Sequence, residues 1–142
     1  MKGESEPLTY DEKIAWLKRF QAALHREKLL REELKMLKER STSNSKALGG
    51  LPGGAQDGQS LPRAVESIVQ AEQELQCQIN ICGAIRREVV AAIGQLPDEL
   101  DQDILRQRYI MGQEWWKIAV AVNLSDRQAY RRAEAAVHKL DI

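Results

Sequence analysis

Phenylalanine occurs once in this 142-residue chain, cysteine twice and histidine twice, and the formal net charge is zero. No apolar run approaches the length of a membrane span, and Met1-Lys2-Gly3-Glu4 lacks the apolar core of a signal peptide. Cys77 and Cys82 stand five residues apart, which on a helix separates them by about 140° around the axis, so they neither bridge nor chelate together. A reduced, cytoplasmic setting follows from that usage. His25 and His138 have no ligand spacing around them, so no metal is expected. Neither cysteine sits in a motif for nucleophilic work. Asp98, Glu99, Asp101 and Asp103 crowd together, but no histidine or nucleophile shares their motif, and helix capping and solubility account for them. No enzyme and no cofactor are expected.

Zero net charge also removes a global basic field, so any nucleic-acid footprint has to be local. The charge is uneven: residues 97–124 carry five acids and three bases, and 125–142 carry four bases and three acids.

What is present is helical patterning in three segments. Thr9-Tyr10-Asp11-Glu12 is a capping box that satisfies the free N–H groups at a helix start. From there to about Arg40 the chain holds no Gly or Pro, which predicts a helix about 46 Å long. Trp16, Phe20, Ala23, Glu27, Leu30, Leu34 and Leu37 form its seam at alternating spacings of four and three. Residues 41–60, rich in Gly and Ser, read as a flexible connector. A phosphate-cradling loop would need Gly-Lys-Ser/Thr there, and Ala55-Gln56-Asp57 stands instead.

A second long helix is expected from Leu61 to Gly94, with Ser60 as its cap and Pro62 tolerated in the first turn. Leu61, Val65, Ile68, Glu72, Leu75, Ile79, Cys82, Arg86, Val89, Ile93 and Leu96 keep strict four-three spacing, a stripe narrow enough for a coiled-coil partner. Two such helices joined by a connector suggest an antiparallel hairpin, with pairing between chains, and hence a homodimer, as the rival. Glu27 and Arg31 are candidate counterparts for Glu72 and Arg86. The expected fold class is therefore all-α: a long hairpin over 1–96, then a C-terminal helix-turn-helix domain over 97–142.

Gly94 and Pro97 close the second helix, and the punctuation then tightens. Pro97-Asp98-Glu99 starts a short helix with acids in its first turn, favourable to the helix dipole, and Gly112 ends it. Trp115, Ile118, Ala119 and Val122 mark the apolar side of another. Asn123 suits a left-handed turn position, and Ser125-Asp126-Arg127-Gln128 is a second capping box. Short helix, tight turn and capped helix make a helix-turn-helix arrangement. The last helix should bury Ala129, Ala133, Ala136, Val137 and Leu140 and present Arg127, Gln128, Arg131, Glu134 and His138, with Arg132 on the flank. Arg and Gln can read guanine and adenine edges in the major groove, so Arg127, Gln128, Arg131 and Arg132, with Ser125 and Lys117, are the candidate DNA-binding residues. Lys117 and Arg108 are placed to meet phosphate. Trp115 is expected in the core.

The run Leu105-Arg-Gln-Arg-Tyr-Ile-Met-Gly-Gln-Glu-Trp-Trp-Lys-Ile-Ala119, continuing Asn123-Leu-Ser-Asp-Arg-Gln-Ala-Tyr-Arg131, resembles region four of bacterial sigma factors. The chain as a whole is similar to phage-encoded sigma-like regulators, the ArpU/RinA-like late-gene activators. That resemblance implies a phage or prophage origin in a bacterial host cell, a role in transcription, double-stranded DNA as the ligand and RNA polymerase as a protein partner. Asn123, Ala129, Arg132 and Gln113 depart from the commoner residues of that pattern, which predicts a module that leans on the long helices. Two other functions fit the same elements: a helical adaptor that binds protein alone, and a recognition subunit of phage DNA packaging, similar to a small terminase.

Overall fold

The computed structural model describes residues 6–49 and 60–142, and every regular element among them is helical. Five α-helices follow in order: α1 (Tyr10–Gly49), α2 (Ser60–Gly94), α3 (Glu99–Leu105), α4 (Trp115–Val122) and α5 (Asp126–Lys139), with a π-helical stretch, Arg106–Ile110, running on from α3. The rest of the expected connector, residues 50–59, lies outside the described residues.

The α1 capping box forms as expected: the Thr9 N–H donates to Glu12 Oε1 at 2.9 Å and the Glu12 N–H to Thr9 Oγ1 at 3.2 Å. The helix does not stop near Arg40 but continues to Gly49. Ser, Thr and Asn lower helix propensity by only tenths of a kcal/mol each, so Ser41-Thr42-Ser43-Asn44-Ser45 can extend a long helix. The Thr42 hydroxyl bonds back to the Lys38 carbonyl at 3.0 Å, the usual accommodation of such residues inside a helix. Ser60, expected as a cap, is the first residue of α2.

Packing divides the chain into two compact units, residues up to Ala23 with Cys82–Ile142, and Leu24–Ile81. In the second unit, stretches of α1 and α2 pair within one chain. Arg26 meets Glu74 at 3.4 Å and Lys38 meets Glu72 at 3.5 Å, so the two run in opposite directions. Glu27 and Arg31 bridge each other one turn apart at 2.8 Å, and Glu72 meets Lys38. The Arg26–Glu74 and Lys38–Glu72 pairs are largely exposed, and each contributes about 0–1 kcal/mol.

The expected α1 seam is present: Phe20, Ala23 and Leu30 are buried, and Trp16, Glu27, Leu34 and Leu37 half-buried. The α2 seam is half right. Leu75, Cys82, Val89, Ile93 and Leu96 are buried with Ile68 and Ile79 half-buried, but Leu61 is exposed and part of the companion column is shifted by one residue. Gln78 and Ala92 are buried and Ala64, Ala71 and Ile85 half-buried, whereas Val65, Glu72 and Arg86 are exposed. Small Ala side chains let helices approach, and the charged pair stays in water.

In the first unit, Leu17 of α1 and Val89, Ile93 and Leu96 of the α2 end join Ile104, Leu105, Ile118, Val137 and Leu140 in one core. Burying each such Leu or Ile stabilises the unit by about 1.5–3 kcal/mol. The start of α1 and the end of α2 thus share one core with residues of 97–142. Lys13, although charged, is buried here. Its ammonium donates to the Leu140 carbonyl at 2.7 Å and to the His138 carbonyl at 3.1 Å, satisfying the open end of α5.

Candidate nucleic-acid interface

The short C-terminal helices are fixed by caps. Asp98 accepts from the Leu100 N–H at 2.9 Å to open α3. This bond, and after it the Arg132 guanidinium, holds the Asp98 carboxyl below the usual carboxylate range. Past Leu105 the chain widens into π geometry, with the Met111 N–H donating to the Arg106 carbonyl at 2.9 Å. Gln21 steadies this stretch by donating to the Ile110 carbonyl at 2.8 Å. Gly112 then turns the chain at φ +70°, and a Cβ there would lie 2.8 Å from Gln21 Oε1.

α4 buries Ile118 and Ala119 and half-buries Trp115 and Val122, the side predicted for it. Trp115 is thus packed against the core without being fully inside it. Asn123 takes the left-handed conformation, φ 57° and ψ 44°, and the following Leu124 N–H closes the turn onto the Ala119 carbonyl at 2.9 Å. Ser125 caps α5: its hydroxyl accepts from the Gln128 N–H at 3.1 Å, while Gln128 Oε1 accepts from the Ser125 N–H at 2.9 Å. Ala129, Ala133, Ala136, Val137 and Leu140 are all buried, so α5 lies on the core by the predicted face.

That placement separates the six candidate residues. Arg127 and Arg131 are exposed, one turn apart on the outer face of α5, and neither enters an ion pair with a described residue. Gln128 and Ser125 are exposed too, but each holds the other in the capping box, so the Gln128 carbonyl oxygen is already engaged. Arg132 belongs to neither group. Its Nε donates to Asp101 at 2.9 Å and its other arm reaches Asp98, so it ties α5 to α3 rather than facing outward. Its flank position was legible; the acids that claim it come from 31 and 34 residues away and leave no local trace. Lys117 is exposed on α4 with its ammonium 5.5 Å from the centre of the Trp116 ring. Arg108 donates to the Gln113 carbonyl at 3.0 Å and lies 4.7 Å over Trp115, a structural post rather than a free phosphate contact.

Two residues matter to this frame in ways not expected from the sequence: Asp101, expected to serve capping and solubility, is instead a buried ion-pair partner, and Tyr10 is more than part of a capping box. Asp101 is 3% exposed and receives both Arg132 and, at 3.8 Å, Lys139. Tyr10 stacks on His138 at 4.7 Å, joining the start of α1 to the last turn of α5. A signal for the second existed: Tyr10, Ile14 and Leu17 continue the apolar side of α1 toward its start.

An open groove of about 570 Å³ in the second unit, lined by Leu34 and Leu75 with Arg31, Lys35 and Lys38, is larger than the cavity of about 320 Å³ beside α5. Among the described residues no cluster of His, Cys, Asp and Glu could hold a metal, and no helix is long and apolar enough to cross a membrane. Comparisons with protein-family models, curated proteins and solved structures returned no match.

Proposed function

We propose that this protein is a sequence-specific DNA-binding regulator of transcription, with α4, the Asn123 turn and α5 acting as a helix-turn-helix and the N-terminal half of α5 entering the major groove. The observation that carries this reading is the pair Arg127 and Arg131: exposed, one turn apart, near the start of a capped helix and outside any described ion pair. An Arg side chain donates bidentately to guanine O6 and N7, and the first turns of a groove-bound helix make such contacts. Lys117, on the neighbouring helix, supports the backbone. Gln128 and Ser125 contribute through the cap they form, and Arg132 through the frame. The resemblance to phage sigma-like regulators makes phage or prophage genes the expected targets.

A second reading, a helical adaptor that binds a protein such as RNA polymerase, draws on a different observation. Trp116 and Val120 lie one turn apart on α4 and are 53% and 71% exposed, a ridge of the kind that protein partners cover.

Fluorescence anisotropy with labelled duplexes from the gene's flanking region, across a salt series, separates the two. Tight binding to one duplex, a steep negative salt slope and its loss in Arg127→Ala/Arg131→Ala support DNA reading. Flat titrations at low salt on every fragment would sink it and favour the adaptor.

A further inference from the structure

All three tyrosines of the chain, Tyr10, Tyr109 and Tyr130, line a single cavity of about 320 Å³ in the first unit, together with Trp115. In a sequence with 5% aromatic residues, that convergence of four is a concentration of one chemistry in one place. Tyr10 stacks on His138 at 4.7 Å and Trp115 meets Tyr130 edge-on at 5.2 Å, and the cavity stays open to solvent beside them. The start of α1, the π-helical stretch, α4 and α5 all contribute walls. π-helical turns are rare and recur at functional sites, and this one presents Arg108 and Tyr109 to the cavity in succession.

Charge is sorted along the cavity. Asp11 stands beside Tyr10 on α1, and Glu134 lies close enough to Tyr10 for its charge to act on that hydroxyl. Lys18 lies seven residues along α1 from Asp11, about 10 Å further on, while Arg108 lines the cavity beside Trp115. One end is therefore acidic and walled by tyrosine rings, which suits an ammonium group through both a carboxylate and cation–π attraction. The other end is basic and suits a carboxylate. The volume sits at the low end of the range for small-molecule sites, roughly 300–1,000 Å³, which admits one or two rings but no nucleotide or peptide.

We propose that this cavity binds a small aromatic molecule carrying an ammonium group at one end and a carboxylate at the other. The site uses none of the residues assigned to DNA reading and stands or falls separately from it.

The test is an amide-resolved NMR titration of the full chain with para-aminomethylbenzoate, benzylamine and benzoate. Shifts centred on Tyr109, Trp115 and Tyr130 are expected with the first probe, and affinities at least tenfold weaker with each singly charged one. Glu134→Gln should weaken both amine-bearing probes and spare benzoate; Lys18→Gln should weaken both carboxylates and spare benzylamine. Both side chains are exposed, so the variants fold, which their unperturbed core amide signals verify. Absence of shifts, shifts centred elsewhere, equal affinity for the three probes, or variants that change nothing would each overturn the proposal.

Discussion

Arg132 Nε donates to the Asp101 carboxylate at 2.9 Å, and that carboxylate side chain is only 5% exposed while the arginine is 38% exposed. The pair fastens α5 to α3, the helix at the other side of the C-terminal module. Removing one partner of a fully buried ion pair costs about 3–5 kcal/mol, because a charge is stranded in the interior. With Arg132 partly in solvent and Lys139 nearby, Arg132→Ala should cost about 2 kcal/mol. Arg127→Ala and Arg131→Ala, on the solvent face, should stay within about 0.5 kcal/mol of the parent. Urea denaturation of the three variants tests the division between frame and solvent face; equal stabilities would refute it.

The Lys13 ammonium at the carbonyls of His138 and Leu140 should behave as a buried charge-assisted clamp. Lys13→Met keeps the stem and leaves two carbonyls unpaired, for an expected loss of about 1–3 kcal/mol. The thermal midpoint reads the loss directly, and a midpoint at or above that of the parent would show that the clamp adds no stability.

Two left-handed positions should differ in what they tolerate. Asn123→Gly, at φ 57°, should be close to neutral, and Asn123→Ala should cost about 1 kcal/mol. Gly112→Ala should cost more than either. It combines φ +70° with a Cβ 2.8 Å from Gln21 Oε1, and Gln21 cannot retreat without releasing the Ile110 carbonyl. Ranking the three by denaturation midpoint checks the order.

Alkali should loosen the first unit. Burial, and then the neighbouring Tyr130 and Tyr109, push the Tyr10 hydroxyl from the ordinary value of 10.0 up to about 12, and burial also raises Tyr109. The folded state then keeps protons that the unfolded chain releases. The stabilisation is complete below pH 10 and is lost as the pH climbs toward about 12. Urea midpoints across that window should fall, less steeply in Tyr10→Phe, and phenolate absorbance should show a late-titrating fraction. A level midpoint would contradict the assignment.

Signals confined to a few neighbouring residues were legible in the sequence. The two capping boxes, the left-handed Asn123 and the buried face of α5 each follow from spacings of three or four, and each is found where the pattern puts it. Features set by distant partners were not. Nothing near Arg132 announces Asp98 and Asp101, and nothing near Lys13 announces Leu140. The α2 seam missed at some positions for a different reason: Val65, Glu72 and Arg86 are exposed, while Ala64, Ala71 and Ile85, one residue away and with the same period, are half-buried. Only the partner helix, placing Lys38 beside Glu72, chooses the column. The π-helical stretch followed no rule of spacing at all, since Arg106–Ile110 reads as ordinary helix.

The first unit is assembled from segments far apart in the chain, with Leu8 donating to Ile142 and Lys13 to Leu140. On a ribosome, the first turns of α1 must therefore wait for residues near 140 before they find their seat. Contacts of such sequence separation slow folding, because loop closure has to precede any reward. Residues 24–81 are contiguous and owe nothing to that delay. The unit that joins Lys13 to Leu140 is the one whose assembly waits longest in synthesis.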